Sequence, residues 1–117
     1  MKLTITERAL EKLNRQLPDN RRTLLSLDDG VGPFSKVGIC SLEISFDVIA
    51  VDPGAETPDY DATLSTTIGN WQYKGYSGAY LNDHMKLDVK KNQLVLSGDS
   101  GILDSNVDVK DLTKQAV

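Results

Sequence analysis

SLEISFDVIAV, residues 41–51, is the stretch that decides the fold. Its apolar side chains occupy every second position: Leu42, Ile44, Phe46, Val48 and Ala50. Polar side chains occupy the positions between them as far as Asp47. This period of two predicts a long β-strand with one buried face. The segment Gly38-Ile39-Cys40-Ser41 leads directly into the strand and contains the single cysteine of the chain.

The length, the cysteine count and the net charge of the chain limit the class of protein. A chain of 117 residues predicts a single domain, residues 1–117, with one core. One cysteine excludes an intrachain disulfide, so packing alone must stabilise the fold. The net charge of −4 argues against a nucleic-acid partner. No apolar run is long enough to cross a membrane, and the N-terminus has no signal-peptide pattern, so we expect a cytoplasmic protein without a membrane partner.

The N-terminus predicts a helix that begins after Thr6. The hydroxyl of Thr6 can cap the first turn, and Leu10, Leu13 and Leu17 form one apolar stripe. Pro18 should end the helix near Leu17, because the residue before a proline avoids the α region. We expect the chain before Thr6 to pass directly into this helix.

Most of the remaining chain predicts short strands. Thr23–Leu27 is a short apolar strand, Thr63–Ile68 is a polar and possible edge strand, and Trp71 and Tyr73 lie on another. Met85–Val89 and Leu94–Leu96 predict a β-hairpin. The other segments predict irregular structure: the Pro- and Gly-rich connection Asp52–Asp61, which should be the most mobile, a helical turn capped by Ser77, and the chain from Ser97 onward. The domain should therefore be α+β and mainly β.

Two acidic motifs resemble functional sites without matching them. Gly98-Asp99-Ser100-Gly101 spells the segment around a serine-protease nucleophile, and His84, the single histidine, would have to be its base. The chain has no other element of that family, so a polar turn is favoured. Asp104–Asp108 begins like a calcium loop but has Val109 and Gln115 where glycine and glutamate are required.

Three further candidates for a binding site are a glycine-rich loop, the single cysteine and the single histidine. Gly30-Val31-Gly32 could cradle an anion, but Asp28 and Asp29 would repel a phosphate, so a tight turn is favoured. Cys40 and His84 can both bind metal. A lone cysteine before a buried strand is more often an apolar filler, and a lone histidine in a turn is more often solvated.

The order of these features resembles a known family. The capped helix, a strand, Gly38-Ile39-Cys40-Ser41, the long alternating strand and Ser77-Gly78-Ala79-Tyr80-Leu81 before a further strand are similar to the HesB/IscA-like domain of iron–sulfur cluster biosynthesis. The resemblance extends from Leu3 to about Asp111. It implies a compact β-sandwich-type domain with the N-terminal helix packed against it, and binding of iron or an iron–sulfur cluster, usually across a dimer.

The ligand set departs from that family. Its ligands are three cysteines, and Cys40 matches the first, while residues 97–117 contain none to match the other two. In a second alignment, Gly30-Val31-Gly32-Pro33 occupies the place of a Gly-Cys-Gly-Cys segment with both thiols replaced. Either alignment implies a divergent member with an incomplete ligand set, because such clusters normally have four thiolate ligands.

The sequence therefore predicts a non-enzymatic member of this family. One hypothesis is binding of iron or a cluster through Cys40 in a homodimer. The alternative is a cluster-free module that docks on a protein partner through four aromatic residues: Trp71, Tyr73, Tyr76 and Tyr80. A small-molecule binder is a third. For the core, we expect nine side chains to be largely buried: Leu10, Leu13, Leu42, Ile44, Phe46, Trp71, Leu87, Leu94 and Leu96.

Overall fold

The computed structural model describes residues 1–19, 21–28 and 45–113. In this part of the chain there are eight strands, one α-helix and one 3₁₀ helix. In chain order they are β1 (Lys2–Ile5), α1 (Glu7–Gln16), β2 (Arg22–Asp28), β3 (Ser45–Val51), β4 (Ala62–Thr66), β5 (Gly69–Tyr73), the 3₁₀ helix (Gly75–Tyr80), β6 (His84–Lys90), β7 (Gln93–Gly98) and β8 (Gly101–Asp111).

The strands form one closed barrel, in the order β1-β4-β5-β2-β3-β8-β7-β6. β1 closes it, because it pairs in parallel with β4 on one side and with β6 on the other. The predicted β-sandwich is therefore wrong, although the chain is mainly β with an N-terminal helix. A sandwich has two sheets with free edges, whereas here each strand has a hydrogen-bonded neighbour on both sides. The possible edge strand at Thr63 lies inside the sheet for the same reason.

Two strands form where the sequence predicted none. β1 precedes the helix, with Leu3 and Ile5 buried and the residues beside them exposed. β8 is the longest strand, although we expected irregular chain from Ser97 onward. β8 pairs in parallel with β3 and antiparallel with β7. Its backbone is satisfied by these neighbours, so β8 does not need an apolar face of its own.

β3 is a strand as predicted, but both of its faces are buried. Phe46, Val48 and Ala50 join the main core. On the opposite face, Ile49 packs in a second cluster that includes Tyr60. The prediction of one buried face is wrong because the connection after β3 folds back over the outside of the barrel, where Tyr60 is only 3% exposed.

The core prediction is largely confirmed. Six of the nine expected side chains are buried: Leu13, Phe46, Trp71, Leu87, Leu94 and Leu96. Leu10 is partly buried and packs against the main core. Leu42 and Ile44 lie outside the described residues.

The helix begins and ends as predicted. The Ala9 N–H donates to Thr6 Oγ1 over 3.2 Å, and the Thr6 hydroxyl donates to Asp88 Oδ1 over 2.8 Å, which ties the cap to β6. The backbone N–H of Val89 and then the Thr6 hydroxyl lower the pKa of Asp88, because both donate to its charged form. At the other end, the Leu17 N–H donates to Leu13 O just before Pro18.

The β6–β7 hairpin is also confirmed. Lys91 and Asn92 have φ angles of 51° and 65°, which give the two-residue turn that matches strand twist. Within residues 1–19, 21–28 and 45–113, no helix combines the length and apolar character that crossing a bilayer requires.

Candidate functional site at one end of the barrel

Strand direction gathers several connections at one end of the barrel. β2 ends where β3 begins, with Asp28 paired to Ser45. β5 is parallel to β2 and therefore ends on the same side. β8 is parallel to β3, and the antiparallel pairs β7–β8 and β6–β7 give β6 the same direction, so β6 and β8 begin on this side. We call it the 3₁₀ end, since the 3₁₀ helix follows β5 here.

Local contacts hold the 3₁₀ helix in place. The Gly75 N–H donates to Asp61 Oδ1 over 2.8 Å, and a Cβ on Gly75 would lie 2.9 Å from the same oxygen. Ser77 does not cap the turn as predicted, because it lies within the helix, where its hydroxyl donates to Lys74 O over 2.6 Å. The Leu81 N–H donates to Gly78 O, and Leu81 is buried.

The helix carries two of the four aromatic residues that the sequence proposed for binding. Tyr76 is 56% exposed and Tyr80 is 47% exposed. The prediction is wrong for Trp71, which is only 3% exposed, because its side chain belongs to the main core. Tyr73 is partly buried against the same core. Both tyrosines of the helix thus present a large part of their surface to solvent at the 3₁₀ end.

A polar cluster lies at the same end. The backbone N–H of His84 donates to Asp99 Oδ2 over 3.2 Å, and His84 Nδ1 lies 3.4 Å from that oxygen. Ser100 donates from both its hydroxyl and its backbone N–H to Asn82 Oδ1, each over 3.0 Å. A Cβ on Gly98 would overlap Asn82 Oδ1, so glycine permits this close approach.

These contacts decide between the earlier interpretations of the two acidic motifs. Ser100 is hydrogen-bonded to Asn82 and not to His84, whose side chain is 84% exposed. Gly98–Gly101 is thus a polar turn between β7 and β8, as favoured. Asp104 lies on β8, where its oxygens accept from the backbone N–H groups of Phe46 and Asn106. These contacts are structural, and the segment is a strand instead of a calcium loop.

Cys40 lies outside the described residues, and so does the Gly30-Val31-Gly32 loop. The segment that contains them leaves β2 after Asp28 and rejoins the barrel at Ser45, both at the 3₁₀ end. Within residues 1–19, 21–28 and 45–113, no group of three or more His, Cys, Asp or Glu side chains is placed to hold a metal ion. The complete chain has one cysteine and one histidine.

Sequence reasoning missed a group of polar side chains on the outside of the barrel. Tyr60 bonds to the hydroxyl of Ser26 over 2.9 Å, and Lys74, only 2% exposed, lies 5.6 Å from the ring centre of Tyr60. Nearby strands bring Lys110 within 3.0 Å of the buried Asp47 carboxylate. The sequence did offer one signal. Tyr60 is a large aromatic residue in a connection rich in proline and glycine, which indicates that this connection packs against the barrel.

Comparison with known families gives the assignment. The family model described as iron–sulphur cluster biosynthesis matches residues 1–111. The chain belongs to this family. The match confirms the resemblance found in the sequence over nearly the same extent. No curated protein matches the chain significantly.

Two solved structures resemble this member of the Fe–S biosynthesis family. One is a Lactobacillus salivarius protein provisionally assigned to Fe–S biosynthesis and described as having a novel fold; it is 38% identical, with 97% of this chain and 100% of the other covered and a TM-score of 0.82. The other is a Lactobacillus acidophilus protein with the same provisional assignment; it is 26% identical, with 95% and 90% covered and a TM-score of 0.73.

Proposed function

We propose that this protein takes part in iron–sulfur cluster biosynthesis as a non-enzymatic, cytoplasmic module that docks on a protein partner through the 3₁₀ end. The observation that carries the proposal is the exposure of Tyr76 and Tyr80 on one short helix. Aromatic side chains are enriched at protein interfaces, where a large rigid surface is buried at a small entropic cost.

The small number of thiolate ligands supports docking in preference to cluster binding by a single chain. A cluster normally requires four thiolates, and each chain can supply one, Cys40. The residues do not fit a complete cluster site, so we assign no step to a resident cluster. The contacts of Ser100 and His84 likewise support a non-enzymatic role, since a serine nucleophile requires a hydrogen-bonded base.

Site-specific photocrosslinking in cells tests the docking surface. A photoreactive phenylalanine analogue at position 76 or 80 should capture a component of the iron–sulfur assembly machinery. The same analogue at exposed Glu11, on α1, is the control. The captured protein is then purified, and its affinity for the Tyr76→Ala/Tyr80→Ala double variant should fall at least tenfold. Equal capture from position 11, or unchanged affinity, would refute the proposal.

A second candidate is a homodimer that shares iron or a cluster between two Cys40 thiolates. Two observations favour it. The chain belongs to the Fe–S family, and the segment that contains Cys40 begins and ends at the 3₁₀ end, where His84 also lies. An external thiol such as glutathione would have to complete the shell. The thiolate is the ligand form, and Lys36, four residues before Cys40, is the nearest positive charge in the sequence.

Anaerobic reconstitution separates the two candidates. The protein is supplied with iron, sulfide and glutathione, and its visible absorption and mass in solution are measured. Docking without a cluster predicts no absorption band and no change of mass. A visible band and a dimer that both disappear in Cys40→Ser would establish the second candidate, while loss of the band in His84→Ala would add the imidazole as a ligand.

A further inference from the structure

The large apolar and aromatic side chains that are exposed in the described part of the chain are concentrated at the 3₁₀ end. Four of them lie there: Met1, Tyr76, Tyr80 and Ile102. Met1 precedes β1, whose first residue pairs with the first residue of β6, and Ile102 is the second residue of β8. The fifth, Ile68, lies in the β4–β5 turn at the other end. Apolar residues that are grouped in this way mark an interaction surface.

Carboxylates lie on both sides of the 3₁₀ helix. Asp61 accepts the first N–H of the helix over 2.8 Å. Asp83 lies three residues beyond the end of the helix, and Asp99 accepts the N–H of His84, the residue that follows Asp83. All three aspartates are exposed. Within the described part of the chain, no lysine or arginine forms an ion pair with any of them.

The helix has no cation of its own to neutralise these carboxylates. Residues 75–83 contain no lysine or arginine, and Lys74, just before the helix, is buried. The exposed lysines at this end, Lys2 and Lys86, lie on β1 and β6 instead. The surface around the helix is therefore negatively charged. It repels nucleic acid and anionic membranes, and it is complementary to a basic segment of a protein.

We propose that the 3₁₀ end binds an arginine-containing segment of a protein partner. This inference rests on the docking function proposed above and adds the chemistry of the partner. A guanidinium group is planar, so it stacks on an exposed aromatic ring while its N–H groups pair with a carboxylate. A lysine ammonium group pairs with a carboxylate but has no planar face. Tyrosines beside carboxylates therefore favour arginine.

The length of the helix sets the spacing of the arginines. A 3₁₀ helix rises about 2 Å per residue, so Tyr76 and Tyr80 are separated by roughly 8 Å along its axis. In an extended segment, residues two apart point to the same side and are separated by about 7 Å. Two arginines at alternate positions of an extended segment therefore match the two tyrosines.

An NMR titration at low ionic strength with three capped peptides tests this surface. The peptides are Gly-Ser-Arg-Ser-Arg-Ser-Gly, the same sequence with lysine for arginine, and the same sequence with citrulline, which keeps the shape of arginine without its charge. The arginine peptide should shift the amides of residues 75–84 saturably and leave those of the β6–β7 turn unchanged. The lysine peptide should bind about threefold more weakly, and the citrulline peptide about tenfold more weakly. Equal binding of either peptide, or no saturable shift in residues 75–84, would overturn the proposal.

Variants test the two kinds of side chain separately. Asp61→Asn/Asp83→Asn removes two charges and keeps an oxygen that can accept the first N–H of the helix. It should weaken binding of the arginine peptide at least tenfold, as should Tyr76→Ala/Tyr80→Ala. Glu11→Gln/Glu56→Gln removes two exposed carboxylates from other places and should bind like the wild type. Circular dichroism checks folding. If the tyrosine variant does not fold, the aspartate variant decides, and wild-type affinity there would refute the proposal.

The protein captured by crosslinking at positions 76 and 80 separates this inference from the function on which it rests. Its affinity for the Asp61→Asn/Asp83→Asn variant should fall at least tenfold, and its affinity for the wild type should fall as salt is added, because exposed charges are screened. A captured protein that loses affinity in the tyrosine variant alone would leave the docking function standing and refute the basic segment. If neither position captures a protein, the docking function fails, and the peptide titration still decides what this surface binds.

Discussion

β3 and β8 are adjacent parallel strands with opposite compositions. In β3, six of seven residues are buried, whereas in β8 only Val107 of eleven is buried. Backbone hydrogen bonds join the two strands in parallel, with Asp47 paired to Asp108 and Ala50 to Asp111. β3 is a strand because its side chains must leave water, while β8 is a strand because its backbone has partners on two sides.

The alternation of β8 is also broken by its pairing with β7. Leu94 and Leu96 of β7 are two residues apart, but their partners Val107 and Asp104 on β8 are three apart. A second extra residue of β8 lies between the partners of Leu96 and Ser97, which are Asp104 and Ile102. Extra residues of this kind are β-bulges: the first moves the next side chains of β8 to the other face, and the second restores the original facing. The period of two that identifies β3 is therefore absent from β8, although both are barrel strands.

The largest difference in stability between variants of the two strands should come from truncation of an apolar side chain. Phe46→Ala should lower the free energy of unfolding by about 3–5 kcal/mol, because it opens a cavity in the main core. The matched change on β8 is Ile102→Ala, where the side chain is 63% exposed, and it should change stability by less than about 0.5 kcal/mol. Urea unfolding measures both values; a cost below about 1 kcal/mol for Phe46→Ala would contradict the burial of that face.

The ion pair between the strands should give the next largest effect. Lys110→Met on β8 leaves the Asp47 carboxylate, 1% exposed, without its nearby cation, and we expect a loss of about 2–3 kcal/mol. Lys86→Met, an exposed lysine on β6, is the control and should be nearly neutral. Adding Asp47→Leu to Lys110→Met should recover part of the loss in thermal unfolding, since the buried charge is then gone. No recovery would mean that Lys110 acts through its packing alone.

The carboxylate of Asp104 joins the strands through the backbone. Asp104→Ala removes the acceptor of the Phe46 and Asn106 N–H groups and should cost about 1–2 kcal/mol. Hydrogen exchange of the Phe46 amide should also become faster. Asp83→Ala removes a carboxylate from an exposed position outside the strands and should leave both measurements unchanged. Unaltered exchange at Phe46 would show that this hydrogen bond does not protect the start of β3.

The smallest effect concerns Asp88, a carboxylate outside the β3–β8 pair. Its pKa is lowered in the folded protein, so the stability it contributes is complete above the ordinary pKa near 3.8 and is lost as the pH falls through the folded value. The stability advantage of the wild type over Asp88→Asn should therefore shrink below pH 3.8. Thermal unfolding from pH 7 to pH 2.5 measures it, and a constant difference would exclude this linkage.

The amino-acid sequence by itself determined the elements that depend on near neighbours. Thr6 and Pro18 bound α1 because capping and the restriction before proline act within one turn. The alternation of β3 and the β6–β7 hairpin depend on contacts that are local or periodic. The family could also be recognised from the sequence, because the helix, the strands and the short motifs follow one another in the order that is typical of the family. Exposure of Tyr76 and Tyr80 was required by the docking hypothesis, but the sequence could not separate them from core aromatics.

Only the tertiary structure decided the closure of the barrel and what covers it. β1 is four residues long and closes the sheet by pairing with strands some 60 and 80 positions away, as in Lys2 to Ser65 and to His84. The hydrogen bond between Ser26 and Tyr60 likewise joins β2 to the connection that follows β3. No local pattern encodes such contacts, because their stability comes from backbone pairing and buried surface shared between distant segments.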